Sequence, residues 1–238
     1  MTGPLVLYCL PWAGGGASAF RAWPAAFGPG TEVRPIQLPG REDRLDDEPH
    51  RRMSTLIAEL GPRLAAEGPS SFAVFGHSMG ALVAYELVSH LEAGGRPAPA
   101  VLFLSGHGAP GASCAHTTGD GDMSDDTLVE RILALGGTDP VVFRHPELRQ
   151  MALRTLRADL ELCCSYRPAR PEPVNTPVVV YGGVDDHWSH ASLAGWADHT
   201  TAPVRLRWFP GGHFFPVHAL DDLVDDIRRV LLGHQVPS

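Results

Sequence analysis

Short runs of apolar, β-branched and aromatic residues recur along this chain, and longer segments with helical periodicity lie between them. Runs of this kind are typical of strands in a mainly parallel sheet, because helices cover both faces of such a sheet. Several of the runs end in glycine or proline, where the chain is expected to turn. The pattern predicts six strands: Leu5–Cys9, Glu32–Gln37, Ser71–Phe75, Ala100–Ser105, Val178–Tyr181 and Val204–Phe209.

Three segments carry apolar residues along one helical face, and they predict helices at Met53–Ala66, Ala81–Ala93 and His218–Leu232. The last helix has an acidic run near its start, where carboxylates favour the helix dipole. We expect its four aspartates to face solvent: Asp221, Asp222, Asp225 and Asp226. Strands that alternate with helices predict an α/β fold with a mainly parallel sheet flanked by helices. No repeat or linker divides residues 1–238, so a single domain is expected.

The chain between the fourth and fifth predicted strands breaks this rhythm. It opens with Gly108–Asp126, which is rich in Gly, Ser, Thr and Asp, and it continues with helical patterns at Thr127–Leu135 and Pro146–Tyr166. An insertion between two strands of a sheet lies over one sheet edge, often as a lid. The pattern therefore predicts a helical lid at residues 108–172.

The charge composition excludes several classes of function. The formal net charge is −8, and no basic stripe is long enough to follow a nucleic acid backbone. All 19 basic residues are arginines. Without lysine, the chain cannot form a Schiff base, a Ser-Lys dyad or a Walker A phosphate loop.

Cysteine usage and the N-terminal segment indicate the compartment. The four cysteines show no C-x-x-C pair, which favours reduced thiols in a cytosolic protein. The first apolar run, Leu5–Leu10, is too short for a membrane span or a signal sequence. We expect a cytoplasmic protein that contacts no membrane and no nucleic acid, with a monomer as the default state.

The strongest motif is Gly76-His77-Ser78-Met79-Gly80, directly after a predicted strand and directly before a predicted helix. This is the G-x-S-x-G nucleophile elbow in its expected strand–turn–helix context. Glycines flank the turn because side chains at those positions would collide with neighbouring backbone. The motif predicts that Ser78 is a catalytic nucleophile.

A serine nucleophile needs a histidine base and a carboxylate that orients the base. Among twelve histidines, His213 follows two glycines in the loop after the last predicted strand, where such a base is expected. The preceding strand leads into two adjacent carboxylates, Asp185 and Asp186. A G-x-x-D spacing counted from Gly183 favours Asp186, and Asp185 remains the alternative.

Hydrolysis of an acyl group also needs donors for the oxyanion of the tetrahedral intermediate. The backbone N–H of Met79 follows the nucleophile, and the glycine-rich turn after the first strand offers the N–H of Ala13. That turn lacks the lysine and the spacing of a phosphate cradle. The pair His187 and His190 beside the two aspartates is a weak candidate for a metal site, so no metal is predicted.

These residues resemble the type II thioesterases that accompany nonribosomal peptide and polyketide synthases. The resemblance covers most of the chain, and the combination of the opening turn with the elbow is more specific than the elbow alone. The matching segments are Leu10-Pro11-Trp12-Ala13-Gly14-Gly15, Leu38-Pro39-Gly40-Arg41 with Arg44, Gly76-His77-Ser78-Met79-Gly80-Ala81, Gly136-Gly137-Thr138, Leu156-Arg157-Ala158-Asp159 and Phe209-Pro210-Gly211-Gly212-His213-Phe214-Phe215. His187 departs from the family, which often has proline after the acidic residue.

The resemblance implies an α/β-hydrolase fold with a mobile lid. It also implies hydrolysis of stalled or mischarged acyl groups from the phosphopantetheine arm of acyl or peptidyl carrier proteins. The chain itself then needs no cofactor, because the substrate carries the arm. Carrier proteins of this kind tend to be acidic, so docking would need a local arginine patch, with Arg149, Arg154 and Arg157 as candidates.

Two other functions fit the same residues. A general carboxylesterase acting on small oxygen esters uses the same three catalytic side chains, and a binding module on a hydrolase fold would need none of them.

Overall fold

The apolar runs form a sheet of six parallel strands in the order β2-β1-β3-β4-β5-β6. The structure is a computed structural model, and it describes residues 4–67, 71–112, 123–137, 139–169 and 172–235. All six predicted strands are present, with small shifts at their ends. Their bounds are β1 Leu5–Leu10, β2 Thr31–Pro35, β3 Phe72–His77, β4 Leu102–Ser105, β5 Val178–Gly183 and β6 Val204–Phe209.

The described chain contains nine α-helices. The three helices predicted outside the lid are present as α2, α3 and α9, whereas the pattern did not predict the short α1, α5, α7 and α8. The helices are α1 Trp23–Phe27, α2 Met53–Glu67, α3 Met79–Ala93, α4 Asp125–Leu135, α5 Val141–Arg144, α6 Pro146–Ser165, α7 His190–Ala194, α8 Phe215–His218 and α9 Leu220–Gln235. No described helix combines the length and hydropathy that crossing a membrane requires.

Alternate residues of each strand pack against opposite layers of helices, as the pleat of a strand requires. In β1, Val6 and Tyr8 join the core under α2 and α3, whereas Leu7 and Cys9 join the core under α1 and α9. Helix α3 lies against the middle of the sheet and is buried along most of its length. The strands and α3 therefore form a rigid platform for the turn between them.

The helix predicted at His218–Leu232 is α9, which begins at Leu220, because Ala219 has φ −114° and ψ 38° and is not helical. The prediction that Asp226 faces solvent is wrong. Its side chain is fully buried, accepts a hydrogen bond from the Tyr181 hydroxyl at 3.0 Å and pairs with Arg205 of β6 at 3.0 Å. These two partners compensate the negative charge of Asp226, and this allows the aspartate to be buried beside the apolar face of α9.

Between β4 and β5, where the lid is predicted, the described residues form three α-helices, α4, α5 and α6. The hydroxyl oxygen of Ser124 caps α4 by accepting the Thr127 N–H, and Gly136 ends the helix in the left-handed conformation with φ 87°. Leu128 of α4 packs on Leu153 and Leu156 of α6. Part of the predicted lid, residues 113–122, 138, 170 and 171, is outside the described residues, so its bounds remain a prediction.

Candidate active site

Ser78 occupies a strained turn between β3 and α3. It has φ 55° and ψ −121°, and it is one of two described non-glycine residues with positive φ. The turn is closed on both sides, because a Cβ on Gly76 would lie 2.0 Å from the Gly80 carbonyl oxygen. A Cβ on Gly80 would lie 2.2 Å from the carbonyl oxygen of Leu10 in β1. The two glycines therefore allow the turn that places the Ser78 hydroxyl above the sheet.

His213 lies in the loop after β6, and its ring reaches back to the serine. Its Nε2 is 3.0 Å from the Ser78 Oγ, although 135 residues separate the two in the sequence. The loop packs closely on the end of β5, where a Cβ on Gly183 would lie 2.5 Å from the Gly212 carbonyl oxygen. His213 is thus placed where it can accept the serine proton.

Asp186, and not Asp185, lies against the histidine. The His213 Nδ1 is 3.0 Å from Asp186 Oδ2 and 3.2 Å from Oδ1. The Asp186 side chain is 1% exposed, whereas Asp185 is exposed to solvent. The structure therefore brings together Ser78, His213 and Asp186, the three side chains that the sequence selects.

His187 provides two further hydrogen bonds to the Asp186 carboxylate. Its backbone N–H donates to Oδ1 at 2.7 Å, and its Nδ1 is also 2.7 Å from Oδ1. Burial raises the pKa of Asp186, but hydrogen bonds from His187 and His213 outweigh that effect and hold the pKa well below its usual value. Asp186 therefore stays ionised beside His213 throughout the neutral range.

Two more histidines surround the site in their neutral form. Burial, followed by the charge of His213, holds the pKa of His77 well below its usual value, and its Nδ1 is 2.9 Å from Ser105 Oγ. Burial lowers the pKa of His107 to about 4, and its Nδ1 donates to the Gly108 carbonyl at 2.7 Å. These two rings therefore add no positive charge that would oppose protonation of His213.

The two predicted oxyanion donors both line the pocket that contains Ser78. Met79 is the first residue of α3, so its N–H has no acceptor one turn earlier in the helix. Ala13 lies in the turn after β1, and its N–H makes no hydrogen bond with any described residue. The adjacent N–H of Gly14 donates to Asp159 Oδ2 of α6 at 2.7 Å.

The pocket above Ser78 lies between the sheet platform and the lid helices, and its empty space is about 850 Å³ including its opening. Most of its lining is apolar, and both α4 and α6 contribute to the cover. The lining residues are Trp12, Ala13, Ser78, Met79, His107, Met123, Leu128, Arg131, Ile132, Leu135, Leu160, Cys163, His187, Trp188, His213 and Phe214. Such a lining favours an apolar acyl group.

Comparison with known proteins now adds to this geometry. The sequence pattern of the thioesterase domain matches residues 6–231. This chain belongs to the thioesterase family. Its strand order and helix layers are those of the α/β-hydrolase fold that the family adopts, so the fold and the resemblance predicted from sequence are confirmed.

Three similar proteins are biosynthetic thioesterases or accompany a biosynthetic pathway. The gramicidin S biosynthesis protein GrsT of Aneurinibacillus migulanus is 33% identical over 232 residues, covering 95% of this chain and 89% of that protein. RedJ, a thioesterase of the prodiginine pathway in Streptomyces coelicolor, has a TM-score of 0.87 at 35% identity, covering 96% of this chain and 91% of RedJ. The type II thioesterase BorB of the borrelidin biosynthetic cluster has a TM-score of 0.85 at 33% identity, covering 97% of this chain and 93% of BorB.

The weak candidate for a metal site, His187 with His190, is not the group of possible ligands that the structure brings together. Among the described residues, the donor atoms that lie within 4.8 Å of one another belong to Asp186, His187 and His213. Both histidine rings already form hydrogen bonds with the Asp186 carboxylate, and a cation placed among the three side chains would break the hydrogen bond between His213 and Asp186. The arrangement therefore suits proton transfer by His213.

Sequence reasoning missed the contribution of several residues to the thioesterase site. It considered His187 as half of a metal pair and as a departure from the family, not as a partner of Asp186, and it did not single out His107. The side chain of Trp188 is buried, as core aromatic residues are, and it also lines the pocket. The position of His187 directly after the acidic residue could have indicated its contact with Asp186. The residues around His107 carry no motif that distinguishes it from the other histidines.

Proposed function

We propose that this thioesterase removes acyl groups from the phosphopantetheine arm of carrier proteins in a nonribosomal peptide or polyketide pathway, where it edits stalled or mischarged groups. The contact of Ser78 Oγ with His213 Nε2 under an apolar lid carries the proposal. Family membership and the similarity to type II thioesterases support the thioester substrate. We also propose that the enzyme acts as a cytoplasmic monomer.

In the first half of the reaction, His213 Nε2 accepts the Ser78 proton as Oγ attacks the thioester carbonyl. Asp186 orients the ring through Nδ1–H and stabilises the imidazolium that forms. The N–H groups of Met79 and Ala13 stabilise the tetrahedral oxyanion, and loss of one such donor costs about 3–4 kcal/mol. The carbon–sulfur bond then breaks, and the thiolate takes the proton from His213.

In the second half, a water attacks the acyl group on Ser78 while His213 accepts its proton. Collapse of the second tetrahedral intermediate breaks the bond to Ser78 Oγ, and His213 returns the proton to the serine. The products are the free acid and the carrier thiol. Every group that moves a proton belongs to the protein, and the phosphopantetheine belongs to the substrate.

The proposed docking patch is less basic than the sequence suggests. Arg149, Arg154 and Arg157 lie along one face of α6, but each pairs with an acidic side chain. Their partners are Asp126, Glu48 and Asp125, respectively. We therefore propose that the lid recognises the carrier protein by direct surface contact, and that long-range electrostatic attraction between the two proteins is weak.

The variant Ser78→Ala tests the proposed chemistry. It should abolish release of acetyl groups from acetyl-carrier protein and prevent labelling by a fluorophosphonate, because it removes the hydroxyl that contacts His213 Nε2. The matched control is Ser54→Ala, which changes an exposed serine of α2 and should keep both activities. Retained turnover in the Ser78→Ala protein contradicts the mechanism.

A substrate panel separates the thioesterase from a carboxylesterase. Acetyl groups should leave carrier protein with a higher kcat/KM than from acetyl-CoA or from p-nitrophenyl acetate. Faster hydrolysis of the oxygen ester would contradict the proposed substrate class and favour the carboxylesterase.

A further inference from the structure

A buried ion pair links the lid to the turn that carries the proposed oxyanion donor. Asp159 of α6 and Arg41, in the loop after β2, form two parallel hydrogen bonds, Nη1 to Oδ2 at 2.7 Å and Nη2 to Oδ1 at 2.8 Å. Their side chains are only 3% and 7% exposed. The Oδ2 atom of Asp159 also accepts the Gly14 N–H at 2.7 Å.

The same arginine holds the turn after β1 at a second point. Its Nη1 donates to the Gly15 carbonyl at 3.2 Å, and its Nε donates to the Pro39 carbonyl at 3.2 Å. Gln37 extends the network, since its Nε2 donates to the Arg41 carbonyl at 2.7 Å and its Oε1 accepts the Ala17 N–H at 2.6 Å. The turn is therefore bound at Gly14, Gly15 and Ala17.

The bond to Gly14 acts directly beside the proposed oxyanion donor. The Ala13 and Gly14 N–H groups belong to consecutive peptides, so the direction of one constrains the direction of the other. Gly14 has φ 77°, a conformation that a glycine adopts without steric cost but that nothing within the residue itself imposes. The Asp159 carboxylate supplies the external contact that selects this conformation.

We propose that Asp159 is a positioning residue for the oxyanion hole, and that Arg41 holds its carboxylate in place. The inference rests on the proposed function, because it takes the Ala13 N–H as one of the two oxyanion donors. A lid helix then forms part of the catalytic framework as well as the cover of the pocket. Movement of α6 away from the sheet would release Gly14 and misalign the hole.

The variant Asp159→Asn tests this role, because it keeps the shape of the side chain and removes the charge that holds Gly14 and Arg41. We expect kcat for each active site, counted by fluorophosphonate titration, to fall about 10–100-fold while KM changes less than about threefold. The inhibition constant of phenylboronic acid, which bonds to Ser78 Oγ and places an oxygen in the hole, should rise by a similar factor.

Glu161→Gln is the matched control, since Glu161 lies two residues further along α6 and forms an exposed ion pair with Arg51. It should leave kcat and boronate inhibition unchanged. If Asp159→Asn alone does not fold, the double variant Arg41→Gln with Asp159→Asn removes both charges together and should show the same loss. Thermal unfolding and active-site titration establish the folded fraction of each protein.

A purely structural ion pair would lower the melting temperature but leave kcat per titrated site and boronate inhibition at wild-type values, and that result overturns the proposal. The same experiment keeps this failure distinct from failure of the proposed function. If Ser78→Ala is inactive while Asp159→Asn is fully active per site, only the positioning role is wrong. If Ser78→Ala remains active, the proposed mechanism itself is wrong.

Discussion

At the scale of single residues, the acidic member of the site is shared between two imidazole rings. Asp186 accepts from His187 at Oδ1 and bonds to His213 mainly through Oδ2, and the two rings lie 5.3 Å apart. The hydrogen bonds from His187 draw charge from the carboxylate, so less of it is available to stabilise a protonated His213. His187 is therefore placed to tune the base.

We predict that His187→Ala moves the acid limb of the kcat/KM profile to higher pH by several tenths of a pH unit or more. Without the imidazole, the Asp186 carboxylate loses one hydrogen-bond donor and directs more of its charge at the His213 ring. Any positive charge on His187 would repel a protonated His213, so its removal acts in the same direction. The profile is measured between about pH 5 and 9.

His190→Ala is the control for this prediction, because His190 is exposed and stacks on Trp208, away from Asp186. Its profile should match that of the wild type. An unchanged or lowered acid limb in His187→Ala would show that His187 does not tune the site.

At the scale of secondary structure, the two long lid helices differ in how they are attached. Helix α6 is joined to the platform by buried bonds, from Thr155 Oγ1 to the Gly40 carbonyl at 2.6 Å and from Asp159 to Arg41. Next to its C-terminal end, the Tyr166 hydroxyl donates to Glu86 of α3 at 2.8 Å. Helix α4 buries only Leu128 and is tied to α6 by exposed ion pairs.

We predict that the central amides of α4 exchange with deuterium at least about 10-fold faster than those of α6 under native conditions. The reason is that α4 can separate from the rest of the lid by breaking one small apolar cluster and exposed pairs. Hydrogen exchange measured by mass spectrometry checks this, with buried α3 as the slow reference. Equal protection of α4 and α6 would mean that the lid moves as one unit.

At the scale of the whole molecule, the net charge of −8 affects the proposed encounter with a carrier protein. An acidic enzyme repels an acidic carrier, and the arginines on α6 are already paired with acids of this chain. Salt screens repulsion between exposed charges, with a Debye length of about 10 Å at 0.1 M. The long-range field therefore opposes association, and screening should relieve it.

We predict that kcat/KM for acetyl-carrier protein rises about two- to fivefold between roughly 20 and 200 mM NaCl. A neutral substrate, the N-acetylcysteamine thioester of acetate, serves as the control and should show no comparable change. A fall in kcat/KM with salt would instead indicate a local basic patch that attracts the carrier.

The predictable part of the fold follows from local pattern. Strands β1, β3 and β5 are buried along their whole length and consist mostly of apolar residues, so they are evident from composition and length. The short helices α1, α5, α7 and α8 were missed, because helices of four or five residues are unstable alone and depend on tertiary packing. The burial of Asp226 was missed because its partner Arg205 lies on β6. The periodicity of a helix describes that helix alone and says nothing about partners on other elements.

The sequence by itself determined the parallel α/β architecture, the nucleophile elbow and the family, because strand runs and the glycines around Ser78 act over a few residues. Only the tertiary structure distinguishes Asp186, buried against His213, from the exposed Asp185, since the course of their loop depends on β5 and β6. It alone joined Gly14 to Asp159, 145 residues apart, through a carboxylate on a lid helix. Contacts over such distances depend on how whole elements pack, and no local pattern encodes that packing.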